Sequence, residues 1–356
     1  MKEPRDLSST YPKLHPADSK RIFRFGENDV TAFDKIVVAS SSIFFVGGVF
    51  WVPALYAWAW KRYRSIPKEQ RRRRLIYGCV LLFITALFAR GPHRNPKVGE
   101  WVKVHKWSLW KSWMRFLAVE VIQDSPITSM GDFKNEPAIL TVSPHGIFPF
   151  SLAFAALSDI SEQAFGKFRA VVASATEMIP FVRDVLKWVR AVDASRSSVD
   201  QALAEGSRIG VAPGGIAEMF EGYPKAGTHP DDEYAIIRKG IMRLAIKHNV
   251  PIIPIYCFGS TKLLRRLQLP DFVERVSLLL RASFVIFFGK LGLPIPFRQK
   301  LLYILGQPVF PPGGSDSNSD QVDQMHGQLC DELRRIFDRH KEAYGWGHKS
   351  LKILTQ

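Results

Sequence analysis

The chain has 356 residues, 46% hydrophobic and 23% charged, and its 49 Lys and Arg outnumber 33 Asp and Glu for a net charge of +16. That is enough chain for a sizeable core, and the balance excludes a disordered tail or a fibre. Three scattered cysteines, Cys79, Cys257 and Cys330, exclude a disulfide scaffold and a Cys-based zinc site, and no Asn-x-Ser/Thr acceptor occurs.

Residues 1–35 are polar. Ile36 to Trp60 then runs 25 residues without a charge, with Trp51, Tyr56, Trp58 and Trp60 crowding its end. As one helix it is about 37 Å long, more than the roughly 30 Å hydrocarbon core of a bilayer. A kink is expected at Pro53. The polar residues before it predict a retained anchor, not a cleaved leader. Leu75 to Ala89 is also uncharged but has 15 residues, about 22 Å of helix. It is expected to dip into one leaflet or to pair with the first segment as a hairpin.

The linker between them, KRYRSIPKEQRRRR, holds 8 basic residues and 1 acid, which predicts a cytosolic position. Between Lys61 and Glu120, 15 Lys and Arg face 3 acids, so this sixth of the chain carries +12 of the +16. Such a block suits nucleic acid or an anionic membrane face, and its apolar flanks favour the membrane. Trp101, Trp107, Trp110 and Trp113, interleaved with Lys103, Lys106 and Lys111, predict a helix in the headgroup layer. An amphipathic helix on the following domain is compatible with the same pattern.

From residue 124 the composition is that of a globular domain. AILTVS (138–143), AVVA (170–173), IGVA (209–212), IIPIYCF (252–258) and LLYIL (301–305) read as buried strands. Ser197 with Asp200 predicts a helix start running to about Glu205. Ile237, Ile241, Leu244, Ala245 and His248 follow helical spacing. Val322, Met325, Leu329, Leu333, Ile336 and Phe337 form one apolar face of a long helix, after a loop built on PPGGS and SDSNSD. Alternating strands and helices predict an α/β domain with a partly parallel central sheet. The expected organisation is a polar segment 1–35, a membrane-embedded apolar pair with a basic linker 36–90, a basic-aromatic interfacial segment 91–123, and the α/β domain 124–356.

No G-x-S-x-G, GxxxxGK[ST], HExxH or strand-linked G-x-G-x-x-G occurs. What remains are strand-end motifs. Ser143-Pro144-His145-Gly146 follows AILTVS and places an imidazole where α/β sheets bind ligands, against Ile147-Phe148-Pro149-Phe150. The His145 ring serves either structure or catalysis there. Pro213-Gly214-Gly215-Ile216-Ala217-Glu218 follows IGVA. Its glycines free backbone N–H groups for an oxyanion or phosphate, or form a tight turn, and Glu218 can reach the same cleft. Arg238-Lys239-Gly240 heads a helix, as a phosphate site or a solvated basic start.

Taken together, SPHGIFPF, SRSSVDQAL, PGGIAEMF, IIRKGIMRLAIKHNVPIIPIYCFG and PIPFRQKLLYILGQPVFPP resemble the type-2 diacylglycerol acyltransferase family, from the apolar pair to about Pro312. The family's His-Pro-His-Gly has Ser143 in its first place, so His145 alone maps onto the catalytic His. Phe150 stands where the broader glycerolipid acyltransferase pattern has Asp, and no Tyr-Phe-Pro occurs near 127–133. The resemblance implies a glycerolipid-acyltransferase-like catalytic domain at 124–356, preceded by membrane-embedded helices. It implies acyl transfer from acyl-CoA to diacylglycerol, with monoacylglycerol or a long-chain alcohol as alternative acceptors. A non-catalytic lipid-droplet or membrane protein of the same fold is the rival from another class.

In the mechanism so implied, neutral His145 deprotonates the lipid hydroxyl, and Glu218 holds its tautomer. N–H groups near Gly146, Gly214 and Gly215 bind the oxyanion, while Arg238, Lys239 and Arg196 hold CoA phosphates. Acyl-CoA enters as a substrate, with no cofactor and no metal. The expected partners are acyl-CoA, the acceptor lipid and a membrane, with a homodimer as a candidate assembly and no nucleic acid. The expected location is the endoplasmic reticulum membrane with the catalytic domain cytosolic, and lipid droplets as a second site. The family is usually drawn as a hairpin with both ends in the cytosol; the basic linker argues instead for a cytosolic Lys61–Arg74.

Overall fold

The computed structural model describes residues 15–89, 100–124, 135–179, 181–280, 284–312 and 318–355. Its centre is an eight-stranded sheet of β1 (Lys20–Arg24), β2 (Glu120–Gln123), β3 (Ile139–Ser143), β4 (Arg169–Val172), β5 (Val192–Asp193), β6 (Ile209–Val211), β8 (Ile252–Phe258) and β11 (Leu302–Leu305). The order across it is β1-β2-β11-β8-β3-β6-β4-β5. Strands β8, β3, β6, β4 and β5 run parallel; β11 joins β8 antiparallel, β2 runs parallel to β11, and β1 closes the edge antiparallel to β2. β7 (Asp232–Ile237) pairs in parallel with β12 (Ser350–Thr355), and β9 (Arg265–Arg266) with β10 (Phe287–Phe288) antiparallel.

The helices are α1 (Ala32–Phe45), α2 (Gly48–Ser65), α3 (Arg71–Ala89), α4 (Ser108–Phe116), α5 (Phe150–Leu157), α6 (Glu162–Phe165), α7 (Val182–Trp188), α8 (Arg196–Ala204), α9 (Gly215–Glu218), α10 (Gly240–His248), α11 (Asp271–Leu280) and α12 (Ser319–His340). Side chains alternate across the sheet as the strand period requires. Leu140 and Val142 join a core with α4, α5 and α6, while Ile139 joins Ile252, Tyr256 and the apolar stripes of α8, α10 and α12. Both faces are covered, so the parallel strands read as continuous apolar runs, and the five expected strands all form.

Several expected boundaries move. The apolar run is not one helix kinked at Pro53: α1 and α2 meet at 59° across Val46 and Gly47, where Gly47 lies against Pro294, and Pro53 sits inside α2. Among the described residues no single helix is long and apolar enough to cross a membrane, although this bent pair meets the length and composition test. α3 folds back on α2 as a hairpin, with Trp58 against Tyr77 at 5.5 Å and Arg74 over Tyr63 at 5.0 Å.

The divisions at 35 and 123 do not separate structural units, because β1 and β2 complete the central sheet. The second half of the tryptophan-rich stretch turns inward, while Trp101 stays exposed. Trp110 and Trp113 are buried, and their indole N–H groups donate to the Val104 carbonyl and to Ser41 Oγ of α1. Arg115 of α4 grips buried Asp34 of α1 with two hydrogen bonds of 2.7 and 3.0 Å. Spacing of three and four residues gives α4 an apolar stripe, and the sheet offers that stripe more burial than a headgroup layer does.

Ser195, not Ser197, is the cap residue of α8, since the helix starts directly at the exit of β5. Asp200 binds Lys247 and His248 instead. Ile237 ends β7 and does not begin a helix; α10 starts at Gly240. The expected loop before α12 falls partly on residues 313–317, outside the described residues, as does the stretch searched for Tyr-Phe-Pro up to residue 133.

Candidate active site

Parallel strands deliver their C-terminal ends to one sheet edge. β3 ends there in Ser143-Pro144-His145-Gly146, β6 in Ala212-Pro213-Gly214-Gly215, and β8 in Gly259-Ser260. The pieces lock together: Ser260 Oγ donates to the Pro144 carbonyl at 3.1 Å. Gly146 has φ +70°, and a Cβ on it would stand 2.8 Å from the Ser260 carbonyl oxygen, so the turn takes no larger residue.

The His145 ring is oriented by this turn. Its Nδ1 lies 2.7 Å from the Gly146 carbonyl oxygen, an acceptor, so Nδ1 carries the proton and donates. Nε2 is then the free basic nitrogen. Burial lowers the imidazole pKa below its usual value, opposed by the Gly146 hydrogen bond, and so favours the neutral base. Phe148 and Phe150 stand beside the turn with ring centres 4.8 Å apart, and Phe150 packs on Trp113. The expected setting of an imidazole against apolar residues is formed.

Glu218 reaches the same turn by a different contact. The expected imidazole–carboxylate pair does not form: Glu218 Oε1 accepts the His145 backbone N–H at 2.7 Å, and Oε2 accepts the Ile236 N–H at 3.4 Å. The ring Nδ1 already donates to Gly146, which removes the hydrogen a carboxylate would take. Glu218 therefore positions the backbone of His145 and ties β7 to the site. A side chain on Gly214 would run into Glu218, so that glycine makes room for the carboxyl. Burial raises the Glu218 pKa to about 8, against the two N–H donors and the nearby Arg238 cation. At neutral pH the group is largely the uncharged acid.

For an oxyanion, the Gly215 N–H is taken by the Ala212 carbonyl at 3.1 Å and the His145 N–H by Glu218. Among the described residues the N–H groups of Gly146 and Gly214 have no such acceptor.

The three expected phosphate ligands are not gathered in one place. Arg238 is exposed, two residues beyond the Ile236 that touches Glu218. Lys239 is already paired with Asp323 of α12 at 2.6 Å. Arg196 opens α8 after the edge strand β5, three strand spacings from β3, roughly 14 Å across the sheet. Replacing Arg238 with Gln is expected to raise the KM for acyl-CoA several-fold, and Lys239→Gln to change it less, in steady-state assays at low salt. Equal effects would reject the distinction.

Sequence reasoning missed two buried residues behind the site, Glu233 and Tyr256. Glu233, buried in β7, binds Lys262 and Lys349 at 2.8 Å each and Thr261 at 2.7 Å. It pins β12 and the 259–262 loop to the site. Burial alone would raise its pKa; the two ammonium groups override that and hold it lowered. As the last of three consecutive acids, Asp231 to Glu233, it reads in sequence as a surface residue. Tyr256 pairs in register with Ser143, and both hydroxyls are buried without a hydrogen-bond partner among the described residues. Ser143, where the resembling pattern has His, thus fills a closed position behind His145. Among the described residues no cluster of three or more metal-ligating side chains occurs.

The model of the diacylglycerol acyltransferase family matches residues 74–354, from α3 through β12. The chain belongs to the diacylglycerol acyltransferase family. Mouse acyl-CoA wax alcohol acyltransferase 2 is 28% identical over 261 residues, 68% of this chain and 75% of that protein. Bovine 2-acylglycerol O-acyltransferase 1 is 22% identical, covering 71% and 78%. Diacylglycerol O-acyltransferase 2B of Umbelopsis ramanniana is 24% identical, covering 68% and 72%. Among solved structures, the 1-acyl-sn-glycerophosphate acyltransferase of Thermotoga maritima aligns with 84% of this chain and 98% of its own at 14% identity and a TM-score of 0.38. Family membership makes the chain an acyltransferase of lipid metabolism.

Proposed function

We propose that this acyltransferase esterifies the free hydroxyl of diacylglycerol with an acyl group from acyl-CoA, making triacylglycerol, with His145 as the general base. The observation that carries the reading is the fixed tautomer of His145, which leaves Nε2 as the basic nitrogen at a strand-end edge beside the Phe148 and Phe150 rings. A lipid hydroxyl is a poor nucleophile until its proton is taken. Nε2 takes that proton as the oxygen attacks the thioester carbonyl. The developing oxyanion finds N–H donors at Gly146 and Gly214. Collapse expels the CoA thiolate, which recovers the proton from the imidazolium. Arg238 supplies cationic charge for the CoA phosphates.

The relatives differ in the acceptors their names state, so the acceptor is the part to test. Membranes containing this chain, given labelled acyl-CoA and equal diacylglycerol, monoacylglycerol and long-chain alcohol, are expected to label triacylglycerol fastest. Faster wax ester or diacylglycerol formation would move the acceptor assignment; no labelled ester above control membranes would favour a non-catalytic protein.

The proposed site of action is the endoplasmic reticulum membrane, with lipid droplets as a second location. α1, α2 and α3 expose Ile36, Trp58, Trp60, Leu75, Leu82 and Phe83, far more large apolar surface than a soluble domain leaves uncovered. Exposed Lys61, Arg62, Arg64, Lys68 and Arg71 to Arg73 ring the α2–α3 turn, where anionic headgroups neutralise them. This turn and the catalytic domain lie together on the cytosolic side. A single cysteine at Ser65 should therefore react with an impermeant thiol reagent in sealed microsomes. Protection until detergent is added would reject that orientation.

A further inference from the structure

α11 is turned inside out relative to an ordinary surface helix. Two of its polar residues face the protein while Asp271 and Arg275 are exposed: Glu274 takes Lys225 at 3.3 Å, and Ser277, fully buried, donates to the Val273 carbonyl and accepts the Phe284 N–H. Its outward side carries Phe272, Val276 and Leu279, spaced four and three residues apart and 65%, 40% and 81% exposed. A helix docked through Glu274 and Ser277 with an apolar stripe outward gains nothing from water. The segment around it continues the pattern, with Leu267, Phe284, Ile286 and Leu293 exposed and Leu291 at 84%.

This surface joins the face of α1 and α2. Phe50 of α2 packs on Phe287 of β10 at 5.0 Å, and Ser42 of α1 donates to the Pro294 carbonyl. α11 also packs against α9, the helix carrying Glu218. Exposed Arg275 and Lys290 lie among the apolar residues, as cations do at headgroup level.

We propose that α11, with residues 265–270 and 284–293, is a second bilayer contact seated in the leaflet that holds α1 and α2, so that acceptor lipid reaches the Glu218 side of the site from the membrane. The proposal rests on the membrane reading above. Its occupant is a phospholipid leaflet, since the stripe continues the face already assigned to lipid and adjoins the site where a lipid hydroxyl must arrive.

The test uses the full chain with Cys79→Ser, reconstituted in phosphatidylcholine vesicles. Cys257 and Cys330 are buried, so a single introduced cysteine takes a polarity-sensitive fluorophore. Probes replace Leu279, Trp58 of α2 and Lys352 of β12, and phosphatidylcholine with brominated acyl chains is the quencher. The expected result is strong quenching at 279, matching 58 and several-fold above 352. Quenching at 58 but not 279 overturns this proposal and leaves the membrane reading standing. Quenching at neither overturns both. Emission at 279 that follows protein concentration rather than bromolipid would assign the stripe to a second copy of the chain and overturn the proposal. As a functional arm, Leu279→Ser with Leu291→Ser should raise the acceptor KM about ten-fold at unchanged acyl-CoA KM. Equal kinetics would remove α11 from the acceptor path.

Discussion

Replacing His145 with alanine is expected to lower acyl transfer by about 10²-fold or more, the scale set by loss of a general base. The loss should fall on kcat, because the imidazole acts on a proton that moves only as the thioester is attacked. Expression and membrane association should hold, since the His145 backbone N–H still reaches Glu218 and the ring adds a single local bond to Gly146. The pH dependence carries a second signature. Burial lowers the imidazole pKa, so the neutral base persists to pH values below the ordinary 6.5. The acid limb of the wild-type pH–kcat profile should lie below that value and vanish in the alanine variant. Activity within a few-fold of wild type at every pH would remove His145 from the mechanism.

The chain announced its site more clearly than its scaffold. His145, Gly146 and the Pro213–Glu218 turn each directly follow a run of apolar residues, and such runs are strands when both faces are covered. Parallel pairing then brought them together. β1 and β2 were hidden because KRIFR and EVIQ are short and charged; they pair with each other across the apolar pair and β2 pairs with the distant β11, and pairing across such gaps leaves no local trace. β7 was masked by Asp232 and Glu233, which look like surface residues until Lys262 and Lys349 are seen to neutralise the second. The tryptophans of α4 read equally well as interface or core, because composition gives amphipathicity and not its direction. The Glu218 contact was not legible either: proximity to His145 follows from the turn, but the carboxyl meets the backbone N–H because the Gly146 carbonyl already takes the ring Nδ1–H, a local contact that sequence does not display.

That last distinction has a measurable consequence in the stability of Glu218→Gln. Glu218 has a folded pKa raised to about 8 from an ordinary 4.5, with burial as the main cause. A raised carboxyl pKa means the folded chain holds a proton that the unfolded chain has lost. Between these two values stability falls as pH rises; the contribution is complete below about 4.5 and gone above about 8. Glutamine cannot ionise, yet it keeps an oxygen for the His145 N–H, and its amide nitrogen takes the place of Oε2, whose contact to Ile236 is the longer and weaker one. The variant should therefore lie slightly below wild type near pH 5, where its amide faces the Ile236 N–H with a second donor, and gain on wild type toward pH 8 by an amount on the order of a few kcal/mol. Thermal melts across this range give the difference directly. Activity should stay within a few-fold of wild type at neutral pH, because the group replaced is already uncharged there. Glu218→Ala, in contrast, strands a buried N–H at His145 and should cost about 1–3 kcal/mol and most of the activity. A Glu218→Gln variant as inactive as His145→Ala would show that an ionised carboxylate serves the imidazolium after all. A stability difference that did not widen with pH would show that Glu218 is charged in the folded chain.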